Sequence, residues 1–266
     1  MKSLQDTLTS MTKSIYRSEF MRQYKCPRCH ETVRVFQMTD TRTGKTFEQS
    51  IGCNCELLQK VAENQRQATQ RRIDRVFAEY SLVNQSLLNA SFETFKPYRP
   101  DLAKALIQAK QYAEHFDPTK PSNLFFQSTG FGTGKSHLSM SVVKVAKERG
   151  YTAIFTSTPK LLTKIRSTYN RNAETTEDRM IDNIVAADLV VFDDLGAENA
   201  GGWGMEKLFE IIDQRSGKSN IFTTNLSSED FRSERDMARI FSRMMEHSTW
   251  IVLTNVPDYR MRGVSK

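Results

Sequence analysis

The 266-residue chain has no apolar run long enough to cross a bilayer. Its apolar runs, such as Leu189 to Phe192 within the stretch from Ala187 to Phe192, fall far short of the roughly 20 residues that a span requires. The N-terminus lacks the apolar core of a secretory signal, so the expectation is a cytosolic chain without membrane contact. No internal repeat is present, and no cysteine lies outside one short stretch. Apolar residues make up 38% and charged residues 26%, which excludes wholesale disorder and a fibrous architecture. Acid is in deficit, with 31 Asp and Glu against 38 Lys and Arg, and the net charge of +7 favours polyanionic partners such as nucleic acid. The length allows one substantial core plus a small second domain, since single domains cluster at roughly 100 to 200 residues.

All four cysteines fall in Cys26-Pro27-Arg28-Cys29 and, further along, Cys53-Asn54-Cys55. Reduced thiols in two close pairs can supply the tetrahedral ligands of a structural zinc site. The interval from Val33 to Ile51 alternates apolar and polar residues around Asp40 to Lys45, the pattern of a hairpin, so a zinc ribbon is expected. Two alternatives stay open: His30 replacing Cys53 or Cys55, and a set of unliganded buried thiols. A redox pair needs an activated thiol in a thioredoxin-like setting that is absent.

Between Glu56 and Tyr80 there is no Gly or Pro, and Leu57, Leu58, Val61, Ile73, Val76, Phe77 and Tyr80 recur at helical spacing. This predicts a long helix whose polar, basic middle is a solvated connector or a nucleic-acid face. The leading segment from Met1 to Phe20, with Leu4, Leu8, Met11, Ile15 and Phe20, reads as another amphipathic helix, for local packing or for docking on a partner.

Asn123 to Ser128 is a short apolar strand and Lys135 to Lys147 a helix. Between them lies the glycine-rich run Gly130, Phe131, Gly132, Thr133, Gly134, Lys135, Ser136, followed by His137. Strand, loop and helix in that order form a phosphate cradle, because loop amides and the positive helix end face a polyphosphate together. We assign Gly130 to His137 to ATP, with Lys135 reaching the β- and γ-phosphates and Ser136 ligating Mg²⁺. Thr129 stands where the first glycine of the motif would fall.

Well downstream of the loop, Asp188 to Asp194 is an apolar strand ending in two carboxylates. Asp193 is assigned to Mg²⁺ through water. Asp194 occupies the place where many such ATPases carry a water-orienting glutamate; being one methylene shorter, it implies slow hydrolysis. A further buried strand, Asn220 to Asn225, ends in an amide that could touch the γ-phosphate or the attacking water. The helix Met237 to Met245 and the strand Thr249 to Thr254 follow.

The runs GFGTGKSHL, VVFDDLGAE and IFTTN, with the Ser242-Arg243-Met244 helix, resemble the AAA+ ATPases, and within them the DnaC/DnaI-type bacterial replicative helicase loaders. The resemblance spans roughly residues 91 to 262, from Ala90-Ser91-Phe92-Glu93-Thr94-Phe95 to Asp258-Tyr259-Arg260. It implies a five-stranded parallel sheet with helices on both faces, and a weak ATPase that self-associates through this domain. Arg243 would then be offered to the neighbouring subunit's γ-phosphate, with Arg239 as the weaker candidate. The sequence runs only from Val256 to Lys266 after the last strand, so no C-terminal helical lid is expected. The expected organisation is residues 1–55 as a helix and zinc module contacting the hexameric replicative helicase, 56–90 as a helical linker and 91–266 as the ATPase domain. The zinc module looks most like the Gram-positive and phage branch, which implies a bacterial or phage protein acting in the bacterial cytoplasm. Loaders bind single-stranded DNA, for which Lys160, Lys164, Arg166 and Arg171 near Tyr169 are suited unless they form one solvated helix face. Rival readings are an IstB-like transposition ATPase and a zinc-containing DNA-binding regulator that keeps ATP as a structural ligand.

Overall fold

A computed structural model of the protein describes residues 15–169, 176–197, 201–227, 229–233, 235–254 and 256–259. The chain divides into two compact units, residues 1–68 and 69–266.

In the first unit, β1 (Tyr16–Lys25), β2 (Thr32–Asp40) and β3 (Thr46–Ile51) form an antiparallel sheet in chain order. The β2–β3 hairpin turns at Asp40, whose carboxylate accepts from the N–H groups of Arg42 and Thr43. Val33 and Val35 are buried on one face, while Tyr16 meets Phe47 and Phe20 meets Phe36 edge-on on the other. The expected helix from Met1 to Phe20 is therefore corrected from Tyr16 onward. Those residues pair with β2 and their aromatic rings find partners across the strands, cross-strand contacts that outweigh a local helical spacing. Leu4, Leu8 and Met11 lie outside the described residues.

The run without Gly or Pro after the cysteines is helix α1 (Cys55–Tyr80). In the second unit a 3₁₀ turn at Gln85–Leu87 leads to α2 (Pro100–His115), with proline in its first turn where a missing N–H costs nothing. Then β4 (Asn123–Gln127), α3 (Lys135–Glu148), β5 (Ala153–Ser157), α4 (Thr158–Ser167) and α5 (Glu177–Ala186) alternate. They are followed by β6 (Leu189–Leu195), α6 (Gly201–Gln214), β7 (Ser219–Thr224), α7 (Asp230–Ser233), α8 (Arg235–Met244) and β8 (Ser248–Val252). The five strands form one parallel sheet in the order β5-β6-β7-β4-β8.

Side-chain alternation along each strand divides the core into two layers. Leu124, Phe126, Val191 and Ile221 meet α2 and α3 on one face. Phe125, Val190, Phe192 and Phe222 meet α4, α5, α6 and α8 on the other. There Phe125 stacks on Trp250 at 4.7 Å, and Phe192 on Phe222 at 5.5 Å. Burial on both faces is why the central strands read as continuous apolar runs. All five strands present their C-terminal ends at one edge, the place where open α/β sheets bind ligands.

At the opposite edge a buried arginine ties the layers together. Arg215, fully buried, donates through Nε to Asn220 Oδ1 at 2.5 Å and through Nη2 to the Ser219 carbonyl at 2.7 Å. Its Nη1 donates to the carbonyls of Ile184 at 2.8 Å and Ala187 at 2.9 Å, which end α5. Burial pulls its pKa down to about 9. Lysine cannot span both sets of acceptors with one ammonium, so Arg215→Lys should lower the unfolding free energy of the second unit by about 3 kcal/mol. Urea denaturation followed by tryptophan fluorescence measures this; a loss under about 0.5 kcal/mol would assign the network no structural weight.

Candidate functional site

The glycine-rich run leaves β4 and winds into α3 through two left-handed glycines, Gly132 (φ +59°) and Gly134 (φ +94°). A side chain at Gly134 would meet the Phe95 ring at 2.6 Å, and one at Gly132 would run into the Asp258 carboxylate. Neighbours thus press on the loop from both sides, and only glycine fits. Exposed Thr129 precedes this curvature, so the missing first glycine leaves the two tight turns intact. Phe131 is exposed at the tip, while Ser128 Oγ accepts from the Gly130 N–H.

Lys135 is buried, and its ammonium donates to Asn225 Oδ1 at 2.7 Å, the Gly130 carbonyl at 3.2 Å and Thr133 Oγ1 at 3.3 Å. The fold therefore joins two residues, 90 positions apart, that the sequence only suggested as partners at one site. His137, on the first turn of α3, faces the segment from Ala90 to Phe95 that leads into this unit, the entry segment: its Nε2 lies 2.9 Å from the Ser91 carbonyl and 3.1 Å from Thr94 Oγ1. Loop, entry segment and the ends of β6 and β7 enclose a cleft of about 400 Å³. Leu87, Phe95, Tyr98 and Leu102 line it with apolar surface, and Lys135, Ser136, Asp193 and Asn225 with polar groups. The apolar surface suits a base and the polar groups a phosphate chain.

Asp193 and Asp194 lie just before the end of β6, where the chain bulges against β7 and Asp194 takes φ +56°. Thr223 serves both: its hydroxyl donates to Asp193 Oδ1 at 2.7 Å and accepts from the Asp194 N–H at 3.0 Å. Sequence reasoning assigned Thr223 no role; its signal was position, two residues before Asn225 and so on the same side of the strand. Burial, then the neighbouring Asp194 charge, raises the Asp193 pKa to about 6, against the opposing pull of the Thr223 and Ser136 hydroxyls and of Lys135. A buried carboxylate facing a serine hydroxyl and a lysine fits a hard divalent cation with oxygen ligands.

Arg243 does not join this cleft. It pairs with Asp213 Oδ1 at 2.9 Å beside Ser122, Asn123 and Lys218, near the N-terminal ends of β4 and β7. Arg239 lies over the Phe209 ring at 4.3 Å. Of the basic stretch on α4, Lys160 donates to Asn84 Oδ1, Lys164 to the Glu79 carbonyl, and Arg166 covers Trp203 at 4.5 Å with Tyr169 edge-on to the same ring. Arg171 is outside the described residues.

In the first unit the Sγ atoms of Cys26, Cys29, Cys53 and Cys55 lie within 4.8 Å of one another. Thiolates bound tetrahedrally at about 2.3 Å from a zinc ion sit about 3.8 Å apart, so the set fits with little adjustment. His30 (φ +60°) closes the first knuckle by donating its N–H to the Cys26 carbonyl and is not among the clustered ligands. At the second knuckle a side chain on Gly52 would meet the Thr32 carbonyl at 2.5 Å, so glycine permits the strand approach that brings Cys53 in. Backbone N–H groups of Cys29 and Arg28 lower the Cys26 thiol to about 6, whereas the hydrogen bond with Cys29 raises Cys55 to about 12. Such a cluster cannot ionise fully without a cation.

A family model described as IstB-like ATP binding protein matches residues 34–266. The replicative helicase loader DnaC of Buchnera aphidicola subsp. Baizongia pistaciae is 28% identical over 183 residues, 68% of this chain and 73% of that protein. Among solved structures, the DnaC helicase loader superposes with a TM-score of 0.56 at 24% identity, covering 64% of this chain and 99% of that one. DnaI gives 0.55 at 20%, covering 67% and 95%. At these identities the structures establish a shared fold.

The raised Asp193 pKa makes a signed prediction. Its neutral form is favoured in the fold, so its contribution to stability is complete below about pH 4 and is lost as pH rises through about 6. Asp193→Asn should therefore stabilise the nucleotide-free protein at pH 8 by roughly 1–3 kcal/mol, with little gain below about pH 4. Calorimetric unfolding across this range decides it; a variant no more stable than the parent at pH 8 contradicts the assignment.

Proposed function

Since the chain belongs to the IstB-like ATP binding protein family, matched over residues 34–266, we propose that it loads a replicative DNA helicase onto single-stranded DNA under the control of ATP. One observation carries the reading: a phosphate loop whose Lys135 is held by Asn225 beside buried Asp193, in a chain aligned over two thirds of its length with a helicase loader. The similarity to a helicase loader over 68% of the chain favours this over transposition, since that to an insertion-sequence ATP-binding protein spans 36%.

Lys135 exchanges Asn225 for the β- and γ-phosphates, which frees the Asn225 amide to face the γ-phosphate and the attacking water. Ser136 and Asp193 would hold Mg²⁺, Asp193 through water, and the ion would supply neutralisation of the charge that develops on the phosphates. Thr223 fixes the rotamer of Asp193. Asp194 orients the water from one methylene too far back, which makes turnover slow. Arg243 and the loop lie at opposite ends of the sheet, so the arginine serves a neighbouring subunit after leaving Asp213. ATP thereby senses self-assembly, and Arg166, Trp203 and Tyr169 offer cation and ring faces to a single strand. The first unit contacts the hexameric helicase, with Zn²⁺ as a purely structural ion on its four cysteines.

Three experiments test this. Co-purification with the cognate replicative helicase should give an ATP-sensitive complex that is lost when the segment from Met1 to Tyr80 is removed. Arg243→Ala should keep ATP affinity while lowering turnover of the assembled protein about tenfold or more; absence of any complex in every nucleotide state would sink the loader reading. Anaerobically purified protein should contain one zinc per chain, reduced by Cys29→Ser, with ATP affinity preserved. A content well below one equivalent refutes the zinc assignment.

A further inference from the structure

After β8 the chain does not leave the sheet edge. Leu253 donates its N–H to the Gln127 carbonyl at the end of β4, and Val256 is buried in the core with its carbonyl against Gly130. The Pro257 carbonyl then accepts the Tyr98 hydroxyl at 2.9 Å. Asp258 lays its carboxylate flat on Gly132, and the Tyr259 N–H donates to the Gly132 carbonyl at 3.0 Å. The Tyr259 side chain also lines the nucleotide cleft.

The last of these bonds has a stereochemical consequence. In a planar trans peptide the C=O of one residue and the N–H of the next point in opposite directions. A donor pinning the Gly132 carbonyl therefore also fixes which way the Thr133 N–H points. On its carbonyl side that peptide is flanked by left-handed Gly132, where the missing side chain leaves rotation about the Cα–C bond with little steric resistance, so its tilt is set weakly from that side. Anion cradles act through N–H groups held in place beforehand, and one reversed peptide would present an oxygen to the phosphate instead.

We propose that Tyr259, through its main-chain N–H, is a positioning residue for the phosphate loop: it holds the Gly132–Thr133 peptide in the orientation that offers the Thr133 N–H to a bound polyphosphate. Tyr98 supports it by anchoring Pro257. The inference rests on the ATP reading of the loop and assigns this task to the segment from Val256 to Tyr259.

A backbone donor is tested by proline, which removes the N–H, against alanine, which keeps it and removes the ring. Titration calorimetry with ATP, and displacement by AMP, should be run on the full-length parent, Tyr259→Pro, Tyr259→Ala and Tyr98→Phe. Tyr259→Pro should weaken ATP about tenfold while AMP, which lacks the phosphates that the loop holds, changes by less than about twofold. Tyr259→Ala keeps the N–H and removes a ring at the cleft, so any loss should fall on ATP and AMP by the same factor, within about threefold. Tyr98→Phe should lose about two- to fivefold for ATP alone, and it decides the matter should the proline variant fail to fold. Equal ATP affinity in parent, Tyr259→Pro and Tyr98→Phe overturns the inference, as does an equal loss for proline and alanine, which would transfer the effect to the ring. A parent protein that does not bind ATP overturns the nucleotide reading itself and this inference with it.

Discussion

The nucleotide site depends on keeping two opposite charges, Lys135 and Asp193, buried at the end of an apolar sheet. Neither is stable there alone, because a desolvated charge without polar partners costs several kcal/mol. The last residues of β7 supply the partners. Thr223 and Asn225, two apart, reach Asp193 and Lys135 respectively, while Thr224 between them turns away to the Leu195 carbonyl. One strand end thus holds the cation and the carboxylate apart and oriented. Their pairing with β7 is provisional: each hydrogen bond stands where a phosphate or a cation can compete.

The rest of the second unit keeps that strand end rigid. β7 lies between β6 and β4, so both motif strands are registered against it. The stacked Phe125, Phe192, Phe222 and Trp250 rings fill the layer beneath. Arg215 clamps the far end of β7 to the end of α5. On the ligand side, the entry segment presses Phe95 on Gly134 and ties His137 to Ser91. The chain after β8 presses on Gly132. The loop is constrained from outside by segments remote from it in sequence.

The first unit follows a different logic. Among its described residues the buried apolar side chains are Val33, Val35 and Cys26, and four thiols converge beside them. A domain this thin gains cohesion from a metal more readily than from burial. This is also where local pattern misled: an amphipathic spacing from Met1 to Phe20 suggested a helix, yet from Tyr16 onward unpaired backbone and aromatic side chains found better partners across β2.

Much was legible because the chemistry is encoded in short, contiguous runs. Gly130 to Ser136, the carboxylates near the end of an apolar strand, and the paired cysteines are each recognisable from local spacing, and the structure places the first two at one cleft and gathers the four thiols; the continuous apolar strands announced a sheet buried on both faces. The sequence could not show what depends on residues far apart in the chain. Lys135 resting on Asn225, Thr223 joining two acids, Arg243 turned to Asp213 away from its own loop, and Tyr259 holding Gly132 are contacts between segments that only the strand order makes neighbours. Spacing along one chain determines which groups are available; the packing of strands decides which of them meet.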